Sequence, residues 1–254
     1  MKKNALFCVN IYPDKDKMPP ETQFAIKTFE LYCEKFDLDL IVLDQLKYNL
    51  TGNAKYQYLI LEKFQSYDFL NGKYDRLLKV DTDMMITSFA PNIFDVVSED
   101  SIGVVYEDVG SRKKRRLHEI KMAQKSFGNI GWENGYFNAG MMVMSQQHNK
   151  ANFLDKKILS HIKNEQFDYG VREQNIINWK VKDLNYKIQS LDYRWNHMFM
   201  FDEINFTNLK LGSLFKDKVK NSFIIHYAGD AIKRAKFMTR DYPIIMDDWN
   251  NSVR

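Results

Sequence analysis

Cysteine is scarce in this chain: only two occur among 254 residues, Cys8 and Cys33. Two cysteines cannot build the disulfide framework of a small secreted domain. Both sit among apolar neighbours, so buried free thiols and a reducing, cytoplasmic setting are expected. Long hydrophobic runs are also lacking. The apolar stretch 5–9 is interrupted by Asn10 and Pro13, too short for a signal-peptide core and far too short to span a bilayer. Peripheral contact with a membrane surface, through basic residues, stays open. Charge is nearly balanced, with 37 Lys and Arg against 33 Asp and Glu, a formal net of +4. That excess favours an anionic ligand without requiring nucleic acid. No internal repeat and no Pro/Gly/Ser-rich linker divides the sequence, so one domain over residues 1–254 is the simplest organisation. What is abundant is core material: 44% of the residues are apolar or aromatic, which suits a globular enzyme and excludes a disordered chain.

The most telling stretch runs Tyr74-Asp75-Arg76-Leu77-Leu78-Lys79-Val80-Asp81-Thr82-Asp83-Met84-Met85-Ile86. Leu77, Leu78 and Val80 read as a buried strand leading into two aspartates one residue apart. Buried carboxylates need a partner or a metal. Side chains alternate along a strand, so Asp81 and Asp83 are expected on one side. Two hard oxygen ligands on one face suit Mg²⁺ or Mn²⁺. A plain turn after a strand is the simpler reading of the same residues.

Elsewhere, strands are expected at 5–11, 38–43, 77–80, 102–106, 136–144, 187–191 and 223–227. Helices are expected at 21–36, 55–70, 149–162 and 171–184. Residues 111–127 are basic and polar, a helix or a mobile loop. Alternation of strand and helix over the first half implies an α/β fold with a mostly parallel sheet. Ligands bind such sheets at the carboxyl ends of strands, where the aspartates lie.

Four later segments belong with the Asp-x-Asp strand. They are Gly135-Tyr136-Phe137-Asn138-Ala139-Gly140-Met141-Met142-Val143-Met144, Arg172-Glu173-Gln174-Asn175-Ile176-Ile177-Asn178, Leu191-Asp192-Tyr193-Arg194-Trp195-Asn196 and Ile224-Ile225-His226-Tyr227-Ala228-Gly229. Their order and spacing resemble the nucleotide-sugar-dependent glycosyltransferases of the GT-A fold. Among these the chain looks most like glycosyltransferase family eight, the glycogenin and lipopolysaccharide galactosyltransferase group. The resemblance runs from the first strand to about Lys233. It implies a single GT-A, Rossmann-like domain with a mixed, mostly parallel sheet flanked by helices. The nucleotide-sugar-binding part would cover about 1–110, and the acceptor-binding and catalytic part about 111–254.

The resemblance also assigns roles. Asp81, Asp83 and His226 would hold Mn²⁺ (or Mg²⁺), the imidazole tilting the choice towards Mn²⁺. Asn10, Tyr12, Lys63, Asp81, Asn138, Gly229 and Lys233 would bind the nucleotide sugar, a UDP-sugar by the family pattern. Gln174 would lie beside the reacting carbon, with Glu173 where the family has Asp. The family is retaining. If the enzyme were inverting instead, Asp192, Glu133 and Glu173 are the candidate bases. The implied partners are the donor and a glycan or other hydroxyl acceptor, with no nucleic acid. The chain departs from the family pattern after His226. The expected lysine comes one residue late, at Lys233, so Arg234 or Lys236 could take its place.

Each piece also has a plain structural reading. His226 could be a hydrogen-bonded core residue, Asn138 could shape a bulge with Gly140, and Gln174 could be a solvated helix residue. Trp195 is a packing residue or an acceptor wall, and Met84, Met85, Met141, Met142 and Met144 read as core. The run Arg112-Lys113-Lys114-Arg115-Arg116 reads first as a solvated face or mobile loop. Its functional versions are a lid over the donor phosphates, a landing site for an anionic acceptor, or an anion- or nucleic-acid-binding segment, though no aromatic-interleaved RNA motif accompanies it. A nucleotidyltransferase would also pair carboxylates with a metal, but no Gly-rich phosphate loop follows the first strand.

Overall fold

The computed structural model describes residues 3–12, 18–48, 59–164, 173–205 and 218–252. Six strands form one sheet: β1 (Asn4–Val9), β2 (Asp39–Leu43), β3 (Arg76–Val80), β5 (Ile102–Tyr106), β6 (Phe137–Ser145) and β7 (Ile188–Ser190). Their order is β2-β1-β3-β6-β5-β7. β1 pairs in parallel with β2 and β3, and β5 with β7. Only β6 runs against its neighbours β3 and β5. The α/β fold with a mixed, mostly parallel sheet is therefore as expected. Two short strands, β4 (Met84–Ile86) and β8 (Ile224–His226), form a separate antiparallel pair.

Besides a helical stretch at 218–221, eight helices flank the strands among the described residues. They are α1 (Pro20–Phe36), α2 (Ser66–Leu70), α3 (Ile93–Val96), α4 (Lys113–Phe127), α5 (Lys156–Asn164), α6 (Glu173–Asp183), α7 (Phe199–Asn205) and α8 (Ala231–Ser252). α1 begins with Pro20 in its first turn, where no hydrogen bond is lost, and stops at Asp37 with φ of 53°. It buries Ala25, Phe29, Tyr32 and Cys33, spaced for one face of a helix. The sheet separates two apolar clusters because its side chains alternate. Leu77 packs with Phe7, Ala123 and Ile177 on one side, while Leu78 and Val80 pack with Phe29 and Trp249 on the other.

Several expected boundaries move. β1 ends at Val9, two residues before the expected limit. The helix expected over 55–70 is a 3-10 turn, Ile60–Gln65, running into α2, with 55–58 outside the described residues. The one expected over 149–162 is a 3-10 turn, Gln146–Asn152, followed by α5. Residues 171–172 of the next helix, Arg172 among them, lie outside the described residues. Residues 111–127 are helical. No element was expected beyond residue 227, yet α8 runs from 231 to 252 and packs on α1. Phe24 stacks on Tyr242 with ring centroids 4.3 Å apart, and Trp249 Nε1–H donates to the Ile86 carbonyl at 3.0 Å. Trp195 packs on Phe223 and is buried, so it is a packing residue. The five methionines are all core. No described helix is long and apolar enough to cross a membrane.

Both cysteines are buried free thiols. Burial pushes each up to about 12. A thiolate reagent such as DTNB at pH 8 should therefore leave the native protein unmodified and titrate two thiols once urea unfolds it. Rapid reaction of either thiol in the native state would contradict their placement in the core.

Candidate active site

β3 ends at Val80, and Asp81-Thr82-Asp83 make a turn closed by Met84 N–H donating to the Asp81 carbonyl at 3.2 Å. The two carboxylates thus come together through a turn, not through the strand alternation expected of them. The turn is stitched on both sides. Asp81 N–H donates to the Gly140 carbonyl on β6, and Tyr227 N–H donates to the Asp83 carbonyl, each at 2.9 Å. Because β4 and β8 pair with Met84 opposite His226, the imidazole falls beside Asp83. One ligand atom from each of Asp81, Asp83 and His226 lies within 4.8 Å of the other two. Gly140 leaves room for this. A Cβ there would meet Met84 Cε at 2.8 Å, Asn138 Oδ1 at 2.9 Å and Asp81 Oδ2 at 3.0 Å.

A chain of hydrogen bonds orients His226. Gly140 N–H can only donate, and it points at Asn138 Oδ1 at 3.0 Å. Asn138 Nδ2 therefore turns to the Glu107 carboxylate at 3.1 Å, which as a carboxylate can only accept. Asn138 Oδ1 also accepts from Asn196 Nδ2 at 2.9 Å. Asn196 Oδ1 then faces His226 Nδ1 at 2.9 Å, so Nδ1 carries the hydrogen. Nε2 keeps its lone pair and faces Asp83 Oδ1 at 3.3 Å. That oxygen is buried with no hydrogen-bond donor among the described residues. Two acceptors this close call for a cation between them or a second proton on the ring. Two carboxylates and an imidazole fit a divalent ion that accepts oxygen and nitrogen ligands.

Cations surround the carboxylates. Lys63 Nζ donates to Asp81 at 2.7 Å, and Arg234 Nη1 lies 3.6 Å from Asp83 Oδ2. Burial pushes the Asp81 carboxyl up, against the pull of Lys63. Burial acts on Asp83 in the same direction, but His226 and Arg234 hold it well below the usual carboxylate range. Glu173 is buried between two lysines, 3.6 Å from Lys79 and 3.8 Å from Lys63. Lys79 is itself fully buried, which lowers its pKa despite Glu173.

Gln174 sits at the start of α6 and lies against β6. Its Nε2 donates to Glu107 at 2.9 Å, and its Oε1 accepts from Ala139 N–H at 3.2 Å. Asn10 and Tyr12 follow β1, whose parallel pairing with β3 places Asn10 at the same sheet edge as the aspartates. Asn10 Nδ2 donates to Met18 Sδ at 3.2 Å. Gly229 turns the chain from β8 into α8 with φ of 122°. Lys233 is exposed on the first turn of α8, so of the three cations offered after His226 it is Arg234 that reaches the cluster. Asp192 caps a 3-10 turn and pairs with Arg194, and Glu133 is exposed on a loop.

The sequence reading missed Glu107 and Arg116. Glu107 is buried directly after β5, the same signal that singled out Asp81. Arg116, the last residue of the basic run, is buried and bonds both Glu107 and Glu119. Burial would raise the Glu107 carboxyl, but Arg116 holds it below its usual value. Asn196 lay inside a segment already singled out, without a role.

The sequence profile of Glycosyl transferase family 8 matches residues 9–233. A glycosyltransferase involved in glycosylating the major capsid of PBCV-1 is similar over 92% of this chain and 99% of its own, with 10% identity and a TM-score of 0.57. The galactosyltransferase LgtC, solved with donor and acceptor sugar analogs, is similar over 98% of this chain and 99% of its own, at 16% identity and a TM-score of 0.52. GlyE of Streptococcus pneumoniae TIGR4 is similar over all of this chain and 64% of its own, at 14% identity and a TM-score of 0.51. At such identities the likeness carries the fold alone. No curated protein matches the chain in sequence.

Asn196→Ala removes the acceptor that keeps the hydrogen on His226 Nδ1. Outer-shell partners of this kind are worth about 10–100-fold in metal affinity. Mn²⁺ titration followed by EPR of the free ion should show a loss of that order. Wild-type affinity in the variant would mean that the relay does not orient the ligand.

Proposed function

Because the chain belongs to glycosyl transferase family 8, we propose that it transfers a hexose from a UDP-sugar to a hydroxyl of a glycan, with retention and with Mn²⁺. The convergence of Asp81, Asp83 and His226 beside Lys63, Asn138 and Gln174 carries this reading. Glycosyl transfer itself follows from the family. Donor, metal dependence and stereochemistry are the finer steps.

A bound divalent ion would supply Lewis-acid neutralisation of a leaving diphosphate. Asp81, Asp83 and the Nε2 of His226 are the groups that would hold it, and the nitrogen ligand favours Mn²⁺ over Mg²⁺. Lys63 and Arg234 add positive charge at the same place, in a site sheltered enough for that charge to count. The binding surface draws on both parts of the chain. Lys63 and the aspartates come from the first, and Asn138, Gln174 and His226 from the second.

Retention is supported by what the nearby side chains are free to do. Inversion needs a carboxylate base at the acceptor hydroxyl. Glu107 is held by Arg116, Glu173 lies between two lysines, and Asp192 is engaged by Arg194. Double displacement needs a nucleophile. Gln174 is an uncharged amide with its nitrogen and its oxygen both hydrogen-bonded. A front-side path, in which the departing phosphate takes the acceptor proton, asks neither of these groups to react. Gln174 and Asn138 would then position the sugar.

The test is release of nucleoside diphosphate from a panel of nucleotide sugars, with Mn²⁺ and with EDTA, by wild type and Asp83→Ala. Slow hydrolysis of a UDP-sugar is expected, falling to background with EDTA and in the variant. The anomer released first, read by NMR, should match that of the donor. Absence of metal-dependent hydrolysis or binding for every donor would reject the reading.

A further inference from the structure

The basic run 112–116 divides in the structure. Arg116 turns inward to Glu107 and Glu119, and Arg115 pairs with Glu119 at 3.0 Å. Glu119 is the only acid in α4, and it is buried. On the opposite face stand Lys114, His118, Lys121 and Lys125, all exposed. Their spacing of four, three and four residues places them in one row along the helix, opposite buried Arg116, Ile120, Ala123 and Phe127. Neighbours in the row are about 5–6 Å apart. The row is about 16 Å long at 1.5 Å per residue.

Helix stability does not explain this arrangement. α4 opens on Lys113, Lys114, Arg115 and Arg116, has no acid in its first turn, and receives no side-chain cap from Arg112. Cations at a helix N-terminus oppose the macrodipole. A local rule broken with no packing gain, at exposed positions, marks a surface kept for another purpose. The first turn of α4, where the row starts, borders the site through its inner face: Arg116 bonds Glu107 and Arg112 Nη1 lies 3.6 Å from Glu107 Oε1, and Glu107 holds Asn138 and Gln174.

We propose that this face of α4 docks an anionic segment of the acceptor glycan, a chain bearing phosphate, sulfate or carboxylate groups, and so leads its hydroxyl towards Gln174. The proposal rests on the transferase reading and narrows its acceptor class. A single row of cations that starts on that first turn suits a linear charged chain. A membrane would call for large apolar side chains among the cations, and the exposed ones lie elsewhere, at Phe89, Phe153, Phe199 and Ile232. A nucleic acid would call for stacking aromatics, which the row does not carry.

The test uses a heparin-derived hexasaccharide as the anionic chain, with maltohexaose as its neutral counterpart. Wild type should bind the hexasaccharide at least tenfold more tightly than maltohexaose, and more weakly as salt rises. Saturating hexasaccharide should change the rate of UDP-sugar hydrolysis at least twofold, because the row starts on the turn of α4 that borders the site. The triple variant Lys114→Glu, Lys121→Glu, Lys125→Glu should lose at least tenfold in binding and lose that rate change, while its basal hydrolysis stays at the wild-type value. Equal binding of the two saccharides, undiminished binding by the variant, or no effect on hydrolysis would overturn the proposal. Tighter binding of phosphatidylglycerol vesicles or of a 20-nucleotide single strand would overturn it in favour of a membrane or a nucleic acid. Wild type that binds the hexasaccharide yet hydrolyses no nucleotide sugar would instead overturn the transferase reading and leave a polyanion-binding face.

Discussion

The polar side chains of the site take their orientation from one buried ion pair, Glu107 with Arg116. Glu107 leaves β5 into a region with little water, where an unpaired carboxylate would be costly. Arg116 reaches it from α4 and bonds Glu119 with its other arm. The carboxylate then has a free oxygen that can only accept, and two amides compete for it, Asn138 and Gln174. Each amide is thereby locked in one orientation. The order passes from Asn138 to Asn196 and on to the ring of His226. Removing one partner of such a pair typically costs about 3–5 kcal/mol, because it strands the other. Here it would also free every amide downstream.

The second constraint is geometric. Asp81, Thr82 and Asp83 form the only stretch between β3 of the main sheet and β4 of the small one. Their carbonyls and N–H groups are tied to Gly140 on one side and to Tyr227 on the other. The two sheets therefore hold the carboxylates between them, and side chains from β6 and β8 arrive from opposite directions. Gly140 is the point of closest approach, where any side chain would collide with Asp81 and Asn138. α8 and α1 support the small sheet from behind, through Trp249 and the Ile86 carbonyl.

Charge along the other face of β3 is arranged as an alternating series: Lys79, Glu173, Lys63, Asp81. Lys79 is buried and Lys63 largely so, and burial alone would favour their neutral forms. The carboxylates oppose that, and for Lys63 they prevail. Glu173, one methylene longer than the aspartate it resembles in the family pattern, is held back by two ammonium groups. It is the first residue of α6, and Gln174 is the next.

Much of this was legible along the chain. The strand ending in two aspartates, the buried thiols, the methionine core and the alternation of strands and helices all rest on local pattern and burial. So does the family resemblance, which is a matter of residue types in order. The sequence also named Asp81, Asp83, His226, Asn138, Gln174 and Lys63, and the structure brings these six together. What it could not supply was anything requiring two distant segments to meet. The antiparallel insertion of β6, the pairing of β4 with β8, and the packing of α8 depend on strand partners far apart in sequence. Glu107 drew no reading at all, and Arg116 read as one of five cations in a solvated run. Only the tertiary structure removes water from both, and it is that loss of solvent which makes them a pair.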